Sequence, residues 1–485
     1  MGTRDLNFLN KKDFVENAEI NHLKCNELDE ICTSENATDD LLQRALESLS
    51  NRSMKDVRLP YTVIPSFYDL KLQVHLHQGK PETFFFNGSV TIKIYCSVST
   101  KHFFVHAHSR LNISLDEISI SILNDDGDSH GNIDLRNISY EEDLEWYKIE
   151  LVQSLQPFTY YKLAFGQFRS ALNDELKGWY LSKYIENGTY KYLATSQLQP
   201  TDARRVFPCW DEPGFKAQFQ VSLIRQKDYH SLSNMALEST EELHDNWYLD
   251  KYEPSVNMST YLLAFVVSQF ASIRGIDSKG RNFTVWTRSD KINSAKYALE
   301  TGKKIIGFFE EYFELPYPLR KTFLPQYMVA VPDFAAGAME NWGLMIYREA
   351  TMLWDPEFGT AATQQKVATV ISHEVAHQWF GNLVTLNWWD DLWLNEGFAS
   401  FAEYIGVDHV HPEWGMDEQF LLDDIQKVLI SDSLATSRPV IQPVYYPNEI
   451  NEIFDPISYN KGASVLRMME SFMGRNTFRA GVKVR

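Results

Sequence analysis

Four cysteines in 485 residues are too few for a disulfide-built scaffold. Cys25, Cys32, Cys96 and Cys209 follow no metal-ligand spacing either, and no pairing is assigned to them. Long apolar runs are also missing. Nothing approaches the roughly 18 apolar residues that a membrane-spanning helix needs, and residues 1–57 carry no signal-peptide core. Positive charge is scarce: 46 Lys and Arg stand against 65 Asp and Glu, a net charge of −19. Nucleic acid is therefore not an expected partner, because a phosphate polyanion needs a basic patch. What remains is an ordinary globular composition, 44% hydrophobic, on a chain long enough for two or three domains.

The pattern along the chain changes twice. Residues 1–57 are polar and read as a tail or linker. Within them Leu42, Ala45, Leu46 and Leu49 stand at helical spacing behind Asp39 and Asp40, which predicts one short amphipathic helix. Residues 58–273 read as an all-β domain. Tyr68 to Leu76 and Val90 to Tyr95 alternate apolar and polar positions, and Gly79-Lys80-Pro81 and Asn87-Gly88 mark turns. The apolar stretch from Tyr261 to Val267 is expected to be a buried strand. Residues 274–485 are mainly helical, with a strand expected over Tyr327 to Pro332. Asn-x-Ser/Thr sequons occur at Asn36, Asn51, Asn87, Asn112, Asn137, Asn187, Asn257 and Asn282. They favour an extracellular, cell-surface or lumenal glycoprotein, with the cytoplasm as the alternative.

The chemistry centres on His373-Glu374-Val375-Ala376-His377 in an apolar helical run. Residues four apart lie one turn on, so His373 and His377 can aim at one point. Zinc takes nitrogen, oxygen or sulfur donors at about 2 Å, and a catalytic site has three protein ligands and one free position. Glu374, directly after the first ligand, suits a general base. Glu396 opens a second helical segment, after Gly381-Asn382 ends the first, and an antiparallel return makes it the third ligand. Glu403, seven residues on, lies on the same helix face; it either accepts from a ligand histidine or is a solvated surface residue.

The His-Glu-x-x-His motif, eighteen intervening residues, and Glu396 within Trp393-Leu394-Asn395-Glu396-Gly397-Phe398-Ala399 resemble the gluzincin aminopeptidases, the aminopeptidase N group in particular. Gly337-Ala338-Met339-Glu340-Asn341 matches that group's Gly-x-Met-Glu-Asn signature, and Ile457-Ser458-Tyr459-Asn460-Lys461-Gly462-Ala463 its tyrosine motif. The resemblance runs from about Leu59 onwards. It implies an α+β multidomain protein: an N-terminal β domain of sandwich or saddle type, then a thermolysin-like, mainly helical zinc peptidase domain. It also implies one zinc per chain and peptide substrates with a free amino terminus. Glu340 and Gln199 would hold the substrate's amino group, with Gln197 beside them and Gly337, Ala338, Met339 and Asn341 completing the binding segment. Tyr459 would stabilise the oxyanion.

The expected function is zinc-dependent removal of the amino-terminal residue from peptides. The chain ends some 26 residues after Tyr459, where relatives continue with further helices and domains. The alternative is therefore a truncated, weakly active or inactive form that binds peptides or partner chains, and uncovered apolar helix faces make a homodimer a further expected state.

Overall fold

The computed structural model describes residues 57–483 apart from 77–79, 125, 318 and 320–325. The short helix expected near Leu42, the sequons at Asn36 and Asn51, Cys25, Cys32 and the turn at Gly79 lie outside the described residues.

The N-terminal unit is all β. Its largest sheet has nine strands. The strand Val63–His75 lies at its centre, antiparallel to Phe85–Cys96 and parallel to Gln218–Gln226. The alternation in the sequence has a direct cause here. Tyr68, Leu70, Leu72 and Val74 face the core while the residues between them face outward. Tyr68 stacks on Phe219 across the parallel pair, with centroids 4.6 Å apart. A three-stranded sheet covers one region, and a four-stranded sheet runs in the order Gly178–Glu186, Thr189–Gln197, Phe265–Ser268, His230–Ser233. From the end of Thr189–Gln197 the chain runs along a large cavity that Gln197 and Gln199 line. Cys96 and Cys209 are buried free thiols.

Tyr261 to Val267 is buried throughout, but only its second half is a strand. Thr260–Leu262 forms a short 3-10 turn. The reason is the choice of hydrogen-bond partner. The Leu262 carbonyl accepts from Asn234 Nδ2 at 2.8 Å, and Asn341 Nδ2 lies 3.2 Å from the Leu263 carbonyl, so side-chain amides replace a ladder.

The second unit has a five-stranded sheet in the order Ala271–Ile276, Asn282–Thr287, Gln326–Val331, Leu344–Arg348, Ala338–Met339. Its first strand straddles position 273/274 and pairs with Asn282–Thr287, so it belongs with this sheet. Four helices build the rest of the site: α1 (Lys296–Tyr312), α2 (Ala361–Ala376), α3 (Leu392–Val410) and α4 (Gly462–Met473). Thr360 caps α2 by accepting from the Thr363 amide at 3.1 Å. The units share one hydrophobic core. Tyr180 Oη donates to the Asp333 carbonyl at 2.7 Å, and Lys216 Nζ to the Leu383 carbonyl at 3.0 Å, so side chains of the β unit brace loops of the helical one.

Candidate metal centre and active-site cleft

The cleft lies where the units meet. It is a cavity of about 1000 Å³ lined by Gln197, Gln199, Gly337, Ala338, Glu340, His373, Glu374, His377, Glu396 and Tyr459, among others. These are ten of the twelve ligand, catalytic and substrate-binding candidates from the sequence, and Glu403, whose role the sequence leaves open, lines the cavity as well. The other two, Met339 and Asn341, are buried in the wall behind it. Met339 sits in the edge strand opposite Ile346, and Asn341 ties the loop at Leu262 and Leu263.

Antiparallel packing of α2 and α3 assembles the triad. Glu396 meets both histidines, Glu403 meets His373, and Gly406 lies against Ser372, so advancing along one helix retreats along the other. Helix α3 begins at Leu392, which places Glu396 one turn inside it. His373 Nε2 and His377 Nε2 lie 3.1 Å apart, and Glu396 Oε2 lies 3.3 and 3.2 Å from them.

Those separations suit a metal ion. Tetrahedral ligands at about 2.0–2.1 Å from an ion are about 3.3 Å from each other. The hydrogen bonds on the far side of each ring agree. His377 Nδ1 is 2.9 Å from the Phe380 carbonyl, which only accepts, so this nitrogen carries a proton. His373 Nδ1 is 2.8 Å from Glu403 Oε2 and donates to it. With both Nδ1 atoms protonated, the two Nε2 atoms and a carboxylate oxygen converge on one point. As neutral rings they would offer a cation two lone pairs beside the carboxylate.

The charges respond to each other accordingly. Burial raises the Glu396 carboxyl, but the facing His377 and His373 outweigh it and bring it down to about 2. Burial lowers His377, yet Glu396 and Glu340 lift it to about 9. Without a cation, protons balance the carboxylates. Burial pushes Glu374 up to about 8, against the pull of both histidines and with the help of Glu340 and Glu396. A bound cation would hold Glu374 ionised.

Around this centre stand the groups expected to bind substrate. Oxygens of Glu340 and Glu374 and a nitrogen of His377 all lie within 4.8 Å of one another. Gln199 Nε2 donates to Glu340 Oε1 at 3.3 Å, which leaves the Gln199 carbonyl oxygen as an acceptor. The Tyr459 ring stacks on His373 with centroids 6.0 Å apart, and its phenol feels the charge of Glu396. Burial, then Glu396, Glu340 and Glu374, push that phenol well above its usual 10, so it stays a donor.

Several supporting groups were not singled out from the sequence. Gln378 Nε2 and Asn382 Nδ2 both donate to the Glu340 carbonyl, at 3.0 and 2.9 Å. Their signal was position, directly behind His377 and at the helix stop. Tyr261 Oη donates to the Gly381 carbonyl at 3.1 Å from the other unit, and nothing local marks it.

Comparison with known families agrees with this geometry. The family model for the peptidase M1 N-terminal domain matches residues 64–262, and that for the peptidase family M1 domain matches residues 297–484. The chain belongs to the M1 peptidase family. Among M1 relatives, glutamyl aminopeptidase of Bos taurus is 40% identical over 431 residues, covering 88% of this chain and 43% of that protein. Aminopeptidase N of Canis lupus familiaris is 40% identical over 435 residues, covering 88% of this chain and 44% of that protein. Aminopeptidase N of Homo sapiens is 40% identical over 433 residues with the same coverage. The chain thus spans less than half the length of these M1 relatives. Among the described residues, no helix is long and apolar enough to cross a membrane.

Proposed function

We propose that the chain is a zinc aminopeptidase that removes the first residue from peptides with a free amino terminus. The observation that carries this reading is the placement of Glu340. Its carboxylate oxygen lies within 4.8 Å of a nitrogen of His377, one of the proposed ligands. That span fits the amino group and first carbonyl of one amino acid, since these atoms are only about 3 Å apart by covalent geometry. A residue ahead of the amino group would meet Glu340. The donor set of two imidazoles and one carboxylate suits zinc.

When bound, zinc would supply Lewis acidity at the substrate carbonyl and make a water acidic enough to lose its proton near neutral pH. The chain's own groups do the rest. Glu340 and the Gln199 carbonyl oxygen hold the ammonium group, with Gln197 beside them. Gly337 and the edge strand Ala338–Met339 offer main-chain groups to an extended substrate. Glu374 takes the proton from the attacking water and delivers it to the leaving amine. The Tyr459 hydroxyl donates to the carbonyl oxygen as negative charge builds there.

The test uses fluorogenic aminoacyl-amides, assayed with purified protein before and after chelation and zinc restoration. Glu374→Ala is the control, together with an acetyl-blocked substrate. Zinc-dependent turnover confined to free amino termini is expected. Equal turnover of blocked substrate would refute the amino-terminal reading, and one bound zinc per folded chain without turnover would leave peptide binding as the function. We place the protein in an extracellular or lumenal compartment, because five described sequon asparagines, Asn112, Asn137, Asn187, Asn257 and Asn282, are exposed. A mass shift on N-glycosidase treatment of natively produced protein tests this.

A further inference from the structure

Tyr459 does not stand on a regular helix. Residues Ile457–Lys461 form a wide π turn ahead of α4, and such turns are costly and often functional. Its main-chain bonds are irregular: the amides of Asn460 and Lys461 share the Pro456 carbonyl, at 2.9 and 3.0 Å. Something outside the turn must hold it, and the structure shows what does.

Asp455 Oδ1 accepts from the amides of Ile457 and Ser458, at 3.0 and 3.1 Å. Arg438 grips the same carboxylate with a two-pronged contact, Nε to Oδ2 at 3.0 Å and Nη2 to Oδ1 at 2.6 Å. Arg438 Nη2 also lies 2.7 Å from Ser458 Oγ and 3.1 Å from the Ile453 carbonyl, and Ser458 Oγ donates to that carbonyl at 2.6 Å. One guanidinium therefore joins residues 453, 455 and 458, which form the entry to the turn. Ser458, next to the tyrosine, is 1% exposed. On the exit side Gly462 presses on Gly397, the neighbour of Glu396; a Cβ on Gly397 would lie 2.9 Å from the Gly462 carbonyl carbon. The exit is fixed by backbone contact and the entry by Arg438.

We propose that Arg438 is the positioning residue for Tyr459, acting through Asp455 and Ser458 to set the phenol over His373 and against Glu396. Only a planar fork with several donors reaches all three partners, so lysine is not an equivalent. The inference rests on the reading of Tyr459 as the oxyanion donor. Displacing a reacting group by about 1 Å costs up to a hundredfold in rate, so the anchor should show in turnover more than in substrate binding.

The test compares Arg438→Gln and Arg438→Lys in the parent chain and in Tyr459→Phe, with zinc content measured throughout. Hydrogen exchange of the 457–461 amides is followed in both metal-free and zinc-loaded protein. In the parent background, Arg438→Gln is expected to lower kcat about tenfold with KM within about twofold, and Arg438→Lys to remain impaired. In Tyr459→Phe the same change should cost less than about twofold, because the group it positions is gone. Exchange at 457–461 should rise while α2 and α3 keep their protection. An equal kcat loss in both backgrounds, or unchanged exchange at 457–461, would overturn the proposal. If the parent chain shows no turnover, the aminopeptidase reading falls, and the exchange arm alone decides the anchoring. Should Arg438→Gln not fold, Asp455→Asn replaces it; it keeps the capping oxygen, loses the ion pair and carries the same expectations.

Discussion

The two halves of the cleft are held in different ways. The ligand half, α2 and α3, is fixed by burial and by main-chain contacts. His377 and Glu396 are buried, the Phe380 carbonyl orients one imidazole, and a side chain at Gly406 would collide with Ser372 and Phe309. The tyrosine half, apart from the backbone contact of Gly462 with Gly397, hangs on polar tethers: Arg438 to Asp455, Lys461 to Asp432 at 2.8 Å, and Asn460 to Asp424 at 2.7 Å. The side chains of the first pair are 17% and 30% exposed. Close-packed interiors tolerate little displacement, whereas partly solvated ion pairs are weaker and screened by salt. On the proposed reading, the metal ligands are therefore the stiff part of this site and the oxyanion donor the adjustable part.

The largest effect is expected in the ligand half. Glu374→Ala should reduce turnover by about 10⁴-fold or more while leaving one zinc per chain, because it removes the proton carrier and no ligand. Assay against metal content separates the two. Tyr459→Phe should cost about 10²- to 10³-fold in kcat with little change in KM or zinc affinity, which steady-state kinetics and a chelator competition would show. Glu403→Gln strikes the stiff half indirectly, and zinc affinity should fall about 10- to 100-fold with turnover recovered in excess zinc. The smallest effect sharpens the contrast: about 1 M salt should lower kcat by less than about threefold through the tyrosine tethers, with zinc content unchanged. A loss of zinc in salt without loss of kcat would reverse the assignment of stiff and adjustable halves.

Much of this was legible where the signal is local. His373, Glu374 and His377 follow from helical spacing, and Glu396 from a return of the chain that the helix stop at Gly381-Asn382 announces. The paired strands of the β unit follow from alternation. What escaped depends on partners far along the chain. Asn341, chosen with its motif, turns from the cleft to bond carbonyls some 79 residues earlier. The turn at Thr260–Leu262 escaped because burial alone does not tell ladder pairing from capture by Asn234 and Asn341. Glu403, left open between two roles, proves to be 2.8 Å from His373 Nδ1. Arg438 carried no signal, since an arginine before a proline in a polar loop reads as solvated until its partners at 453, 455 and 458 are in place.

The shared grip of Gln378 and Asn382 on the Glu340 carbonyl has a thermodynamic consequence. Both amides belong to the segment that follows His377, so two hydrogen bonds tie the ligand helix to the proposed amine seat. Linkage makes any coupling through them mutual. If filling the triad raises the affinity of Glu340 for an ammonium, then an amine lodged there must raise the affinity of the triad for its ion by the same factor. A simple primary amine would thereby act as an effector of metal retention, with chelation by a competitor slowed in its presence.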